Sequence, residues 1–199
     1  MLEFYSYNDV DSLLDSDVWE LYEKSFPAEE KRLPQEQAIA MSRHDYHALG
    51  IYDNDRIVGL LFFFELGGIM RPVDEDSNGP VSVSVTEYVY IDHFALIPEF
   101  SESDTESEIL KAFCGGRKVI IEAKPPLDVS DEKRLSFLAD IGFAVNEDYL
   151  YIHPGYTTGT NPYSRLLLTY PEAEDEEMLK ELDKNIKLTL RAPDELHCG

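Results

Sequence analysis

The 199-residue chain has few cysteines, few basic residues and no long apolar run, and each shortage excludes a class of protein. Its cysteines, Cys114 and Cys198, are too few for a disulfide framework. Only 17 Lys and Arg residues accompany 40 Asp and Glu residues, and the resulting net charge of −23 repels phosphate backbones and anionic lipids. We therefore expect neither a nucleic acid nor a membrane surface as a partner.

The sequence also lacks the segments that direct a chain into or across a membrane. Its longest apolar run, Ile57–Phe64, is far shorter than the roughly 18 residues that a spanning helix needs. The N-terminal residues Met1–Phe4 contain neither a basic region nor an apolar signal core. These features predict a cytoplasmic protein.

Apolar residues are plentiful enough for a sizeable core, at 43% hydrophobic and 12% aromatic. The periodic patterns predict the order β-α-α-β-β-β-α-β-α-β-β and a tail helix, which is typical of a mixed sheet with helices on both faces. The predicted strands are Met1–Tyr7, Ala48–Tyr52, Ile57–Phe64, Val81–Ile97, Lys118–Glu122, Tyr149–Ile152 and Arg165–Thr169. The predicted helices are Asp17–Phe26 with Asp17 as its cap, Pro34–Arg43, Ser103–Phe113, Ser130–Ile141 and Glu172–Arg191. We place one α/β domain at residues 1–171 and a C-terminal helical extension at residues 172–199.

Two patterns suggest metal ligands, and neither is complete. Asp74–Gly79 resembles the start of a calcium loop, but the position that needs a bidentate glutamate is Val85, so a polar hairpin loop is the better interpretation. The pair Gly67 and Gly68 is also predicted to lie in a loop. His44 and His47 have helical spacing but no third ligand at a telling distance. We predict no metal site.

The tyrosines near the last two predicted strands have two interpretations that the sequence leaves open. They are Tyr149, Tyr151, Tyr156 and Tyr163. They either pack along a sheet edge or line a cleft in which phenol hydroxyls donate protons.

Several local motifs occur in an order that resembles the GNAT N-acetyltransferase superfamily over roughly residues 1–170. They are Tyr22–Pro27 (YEKSFP), Gly50–Phe64 (GIYDNDRIVGLLFFF), Tyr90–Pro98 (YIDHFALIP), Arg134–Phe143 (RLSFLADIGF), Tyr151–Tyr156 (YIHPGY) and Arg165–Pro171. The resemblance implies a mixed, mostly antiparallel twisted sheet with helices on both faces, to which this chain adds a C-terminal helix. It also implies acyl transfer from acetyl-CoA to a small amine.

The same resemblance implies a cofactor site that this sequence has altered. In the family, strand-four backbone, here Phe94, Ala95 and Leu96, holds the pantetheine. The following loop reads Arg/Gln-x-x-Gly-x-Gly/Ala and binds the CoA pyrophosphate through backbone N–H groups. Those three positions are Ser101, Asp104 and Glu106 here, within a stretch of residues 99–108 that holds five acids and no base. Because carboxylates repel a pyrophosphate and satisfy the same N–H groups, we expect impaired CoA binding.

Proton transfer also departs from the family pattern. Leu138 stands where many members have a tyrosine that protonates the leaving thiolate, and Tyr151 is a substitute candidate. For the general base we choose Asp92, predicted to share a strand face with Phe94 and Leu96, over Glu87 on the opposite face. A structural role for Asp92 is an equal alternative.

Two functional hypotheses follow. In the first, the chain is an N-acetyltransferase for a small amine, with Asp92 and Tyr151 as catalytic residues. In the second, it is a catalytically inactive relative that binds another ligand, a protein partner or a second copy of itself, because the loop and the tyrosine are both replaced.

Overall fold

A computed structural model describes residues 2–72, 83–156, 160–173 and 175–190. The strands are β1 (Leu2–Tyr7), β2 (Tyr46–Asp53), β3 (Arg56–Pro72), β4 (Val83–Leu96), β5 (Val119–Ala123), β6 (Ala144–His153) and β7 (Tyr163–Tyr170). The helices are α1 (Val10–Leu14), α2 (Asp17–Ser25), α3 (Pro34–Met41), α4 (Asp104–Cys114), α5 (Val129–Ile141) and α6 (Glu176–Leu190), with a 3-10 turn at Ala28–Glu30. None of these helices is long and apolar enough to span a membrane.

The seven strands form one sheet in the order β1-β2-β3-β4-β5-β7-β6. Every neighbouring pair is antiparallel except β4 and β5, which are parallel and joined by α4. The expectation of a mixed, mostly antiparallel sheet is therefore confirmed.

The helices bury apolar side chains on both faces of the sheet, as expected. One cluster of buried residues combines α2 and α6 with side chains of β3 and β4, and it includes Tyr22, Phe62 and Leu182. A second cluster on the other face packs α4 and α5 against the sheet through residues such as Leu110 and Leu138. Each fully buried leucine or phenylalanine stabilises the fold by roughly 1.5–3 kcal/mol relative to an exposed one. Because α6 contributes to the first cluster, the C-terminal helix shares its core with the sheet.

Three local predictions need correction. The N-cap of α2 is Ser16, whose side chain accepts the Trp19 N–H, and Asp17 is the first helical residue. The five-residue α1 was not predicted because so short a segment carries little periodic signal. Gly67 lies inside β3, where the pairing with β4 shifts register between Leu66 and Ile69. The glycine pair thus accommodates an irregularity within a strand. The calcium-like stretch 74–79 lies outside the described residues.

A bulge in β4 and the early end of its pairing with β5 create the space for a site. The pairing of β3 with β4 passes from Phe62↔His93 to Phe63↔Ile91, so the register skips Asp92. The β4–β5 ladder ends at Ile91↔Ile121, and the two strands separate beyond it. Bulges of this kind re-aim side chains and end pairing near functional sites.

The bulge also overturns the prediction that Asp92 shares a face with Phe94 and Leu96. Asp92 contacts Arg32, whose guanidinium lies over the Tyr46 ring of the first cluster. Phe94 and Leu96 pack against the second cluster on the opposite face. The extra residue breaks the strict two-residue alternation on which the prediction depended.

Candidate functional site

Two contiguous cavities lie where β4 and β5 separate. The first, here called the splay cavity, has a volume of about 300 Å³ and is lined by the ends of both strands, α5, β7 and the chain after α2. The second, the β4 groove, has a volume of about 880 Å³ and follows residues 94–98 beside α2. Ser25, Phe26, Phe94 and Arg134 line both, so a ligand in the groove reaches the splay cavity.

Asp92 lies at the inner end of the splay cavity with its carboxylate fully engaged. Both terminal nitrogens of Arg32 donate to it, and the Arg32 Nη2 to Asp92 Oδ1 distance is 3.1 Å. His93 Nδ1 lies 2.9 Å from Oδ2, and the Tyr156 hydroxyl lies 3.1 Å from Oδ1. Burial would raise the pKa of Asp92, but Arg32 and His93 outweigh it and hold this pKa below its usual value. The carboxylate therefore resists protonation at any ordinary pH.

Arg32 ties the segment between α2 and α3 to the centre of the sheet. Its guanidinium lies 4.4 Å from the centroid of the Tyr156 ring, and its backbone N–H donates to the Tyr22 hydroxyl at 2.7 Å. The same segment receives a hydrogen bond from His93, whose Nε2 lies 3.0 Å from the Glu30 carbonyl oxygen. No sequence pattern identified Arg32, because its partner Asp92 is 60 residues away and the intervening chain shows no shared motif.

Glu122, near the end of β5, is an ionisable group of the splay cavity with a strongly altered environment. Its Oε1 accepts a hydrogen bond from the Tyr90 hydroxyl at 2.6 Å. Burial raises the pKa of Glu122 to about 8, against the opposing effects of Tyr90 and Arg165. A carboxyl group that titrates near neutral pH can both accept and donate a proton. The sequence placed Glu122 in a short buried strand and gave no sign of this role.

Tyr151, the candidate acid, is fully buried in the first cluster. Burial raises its pKa, and the neighbouring Glu122 and Asp183 carboxylates raise it further. Lys187 of α6 lies 5.3 Å from the centroid of its ring. Leu138, which stands at the position of the family's tyrosine, is buried and lines the splay cavity.

The four tyrosines divide between the two interpretations left open by the sequence. Tyr156 and Tyr163 line the splay cavity. Tyr149 instead donates to Asp183 of α6 at 2.9 Å, and Tyr151 packs in the core. Half of the group thus forms an aromatic cleft wall and half packs under α6.

At the start of α4, the Glu106 carboxylate binds groups that an external anion could otherwise bind. Glu106 is buried, accepts the Glu102 N–H at 2.6 Å and forms an ion pair with Arg134 at 2.5 Å. The cap Ser103 accepts the Glu106 N–H at 3.3 Å. Glu102 adopts a φ of +50°, the left-handed region that favours glycine. An N–H and an arginine that would suit an external anion are therefore already paired.

The predicted cofactor residues divide between the groove and the surface. Phe94, Ala95 and Leu96 line the β4 groove, as do Ser101 and Glu106. Asp104 is the first residue of α4 and is exposed. Within the described ranges, no three His, Cys, Asp or Glu side chains are grouped closely enough to hold a metal ion.

Several solved structures that share this fold are named as acetyltransferases. The chain superposes with a TM-score of 0.72 on a protein assigned to the GNAT family of acetyltransferases from Bacteroides thetaiotaomicron, at 21% identity over 92% of this chain and 95% of that one. NAA60 of Arabidopsis thaliana, solved in complex with acetyl-CoA, gives 0.54 at 10% identity over 85% and 98%. An N-acetyltransferase from Staphylococcus aureus Mu50 gives 0.52 at 9% identity over 86% and 97%. No protein-family profile matches the chain, and no curated protein matches it.

Proposed function

With the GNAT acetyltransferase fold as the premise, we propose that the chain transfers an acetyl group from acetyl-CoA to a small amine, with a weakened hold on CoA. The observation that carries the proposal is Glu122, a carboxyl group with a pKa of about 8 on the wall of a cavity that opens into the β4 groove. A donor in the groove and an amine in the splay cavity would meet beside this group.

The chemistry requires a group that takes a proton from the amine. An ammonium ion has no lone pair, so the acceptor must lose a proton, to the Glu122 carboxylate, before its nitrogen attacks the thioester carbonyl. The N–C bond then forms, the C–S bond breaks, and the second nitrogen proton goes to the departing thiolate. A base whose pKa is close to the working pH performs the first step best.

Asp92 has a positioning role in this proposal. Its carboxylate is held by Arg32, His93 and Tyr156, and Arg32 lowers its pKa, so it is a poor proton acceptor. It fixes the wall of the splay cavity instead. Tyr151 is buried in the core, so it does not contact the substrate in this proposal. It acts on the pKa of the neighbouring Glu122 carboxyl group.

The β4 groove suits the pantetheine arm of acetyl-CoA, but its carboxylates repel the pyrophosphate. Beyond Ile91 the β5-facing edge of β4 is released from its ladder, and residues 94–96 line the groove where a pantetheine arm would lie. At the loop, the carboxylate of Glu106 occupies the anion position and Asp104 adds a second charge. Each carboxylate–phosphate pair about 5 Å apart costs roughly 3 kcal/mol at an effective dielectric near 20, before screening.

The paired state of Glu106 also favours a second candidate, an inactive GNAT-fold module. If the Glu106–Arg134 pair excludes CoA altogether, the cleft remains as a binding site for another ligand or a protein partner. Transfer assays separate the two candidates. With acetyl-CoA at millimolar concentration and a library of small amines, we expect release of free CoA thiol and an acetylated product detected by mass spectrometry. Absence of both at millimolar acetyl-CoA would reject the enzyme in favour of the module.

A further inference from the structure

One wall of the splay cavity carries an arrangement of charges that the proposed acetyl transfer does not use. Glu30, Lys124 and Arg165, here called the Glu30 cluster, all line this cavity. A single oxygen of Glu30 contacts both cations, with Arg165 Nη2 at 2.5 Å and Lys124 Nζ at 3.4 Å. Two positive charges therefore share one carboxylate oxygen.

Within the described residues, Glu30 is the ion-pair partner of both cations. Of the other ionisable residues on the wall, Asp92 is paired with Arg32, and Arg134 is paired with Glu106 of the β4 groove. Glu122 lines the same cavity and is the base of the proposed transfer. Asp131 lies in the first turn of α5, where it accepts the Leu127 N–H at 3.4 Å.

The cluster is built into the fold. The Arg165 side chain is only 11% exposed, and its guanidinium lies 4.3 Å from the centroid of the Tyr163 ring. Glu30 is held in place because the segment that carries it is tied to β4 through His93. The chain carries a net charge of −23, so two cations on one carboxylate oxygen do not follow from its composition. A guanidinium presents five N–H donors in a fixed fork and can bind a second carboxylate beside the first.

We propose, on the basis of the proposed function, that the acceptor is a free amino acid whose amine faces Glu122 and whose carboxylate binds Lys124 and Arg165. Glu122, Lys124 and Arg165 line the same cavity, so one small molecule can contact all three. The cavity volume of about 300 Å³ lies at the small end of ligand sites, which run from roughly 300 to 1,000 Å³. The carboxylate gives the two cations of the Glu30 cluster a second anionic partner, and Tyr156 and Tyr163 contact the side chain.

Direct binding tests this inference separately from catalysis. The pool of twenty standard amino acids is compared by ligand-observed NMR with the pool of amines that lack only the carboxylate, with and without acetyl-CoA. We expect amino acids to bind, with the preferred one at least tenfold tighter than its matched amine. Lys124→Met and Arg165→Gln should each weaken the amino acid at least fivefold and leave the amine unchanged.

Lys184→Met is the matched control, because it removes one positive charge from the exposed surface of α6. It should leave both affinities unchanged. Lys124 is half exposed, so its variant serves if Arg165→Gln fails to fold. The inference is overturned if no amino acid binds, if amines bind as tightly, or if neither variant changes amino acid affinity. A different result would reject the proposed function alone, namely amino acid binding without any acetyl transfer.

Discussion

The splay cavity and the β4 groove are each lined by a glutamate, and the two glutamates have different hydrogen-bond partners. Glu106 in the groove binds a backbone N–H and a cationic guanidinium. Glu122 in the splay cavity accepts a hydrogen bond from the neutral Tyr90 hydroxyl. A charged partner stabilises a carboxylate, whereas burial beside a neutral donor leaves a group that exchanges protons near neutral pH. Under the proposed function, the splay cavity is the reactive half of the cleft, and the anion site of the groove holds the chain's own Glu106 carboxylate.

The largest expected effect is on the free energy of unfolding, at a third carboxylate. Asp92 differs from both glutamates because it belongs to a buried ion pair with Arg32. Asp92→Asn or Arg32→Met should lower the free energy of unfolding by about 3–5 kcal/mol, because each leaves one charge buried without its partner. The double variant should lose less than the sum, as measured by urea denaturation. Asp45→Asn, in the more exposed pair with Arg43, is the control and should cost no more than about 1 kcal/mol. A stable Asp92→Asn protein without activity would instead make Asp92 the catalytic base.

Glu122→Gln should reduce kcat by roughly 100-fold, since a general base contributes about 10²–10⁴ to a rate, with little change in KM for acetyl-CoA. In the unaltered protein kcat should rise with pH through about 8 as Glu122 loses its proton, and the variant should lack this rise. The control Glu87→Gln changes an exposed carboxylate on β4 and should leave the profile intact. A variant that retains full activity would remove Glu122 from the mechanism.

The same substitution should change how stability depends on pH. The folded pKa of Glu122 is about 8 and the ordinary value is 4.5, so between these pH values the folded state holds a proton that the unfolded state has released. The free energy of unfolding therefore falls as pH rises through this window. Glu122→Gln should remove that fall, and thermal unfolding of both proteins at pH 5 and pH 9 measures the difference. An identical pH dependence in the two proteins would contradict the raised pKa.

A smaller effect tests the groove. Ser101→Arg, Asp104→Gly and Glu106→Gly together restore the loop pattern, free the Glu102 N–H and release Arg134. Affinity for acetyl-CoA should rise at least tenfold, which is about 1.4 kcal/mol. The double variant that keeps Glu106 is the matched control and should show only part of the gain, because that carboxylate still holds the N–H. Equal affinities in the double and triple variants would show that Glu106 is not the obstacle.

The smallest effect concerns Leu138. Adding Leu138→Tyr to the triple variant should raise turnover severalfold without much change in affinity, since a proton donor to the thiolate acts mainly in the transition state. Steady-state kinetics measure both constants. Full turnover in the triple variant before Leu138 is changed would show that another group protonates the thiolate.

The sequence predicted the seven strands and every helix longer than five residues because each carries its own periodic pattern and end signals. It failed where one residue alters a pattern. The bulge at Asp92 turned that side chain to the other face, and no local feature of the sequence announces an extra residue in a strand. Arg32 was invisible for a different reason, because its partner is distant in the chain and its segment between α2 and α3 has no periodicity.

For the candidate site, the loop positions Ser101, Asp104 and Glu106 followed from a motif with fixed spacing. Glu106 and Arg134 are 28 positions apart on two different helices, and motif spacing cannot predict that they are in contact. The role of Glu122 could not be predicted from spacing either, because it depends on tertiary contacts. Its pKa is set by burial beside Tyr90 on the neighbouring strand, and strand register is a tertiary property.

The most direct test of the central claim, that Glu106 fills the anion site of the groove, compares two donors by calorimetric titration of the unaltered protein. Acetyl-CoA carries the pyrophosphate and S-acetyl-pantetheine lacks it. We predict dissociation constants in the high micromolar range or weaker, within about threefold of each other, with acetyl-CoA binding improving at higher salt as repulsion is screened. Low-micromolar acetyl-CoA binding, at least 100-fold tighter than S-acetyl-pantetheine and weakened by salt, would contradict the account.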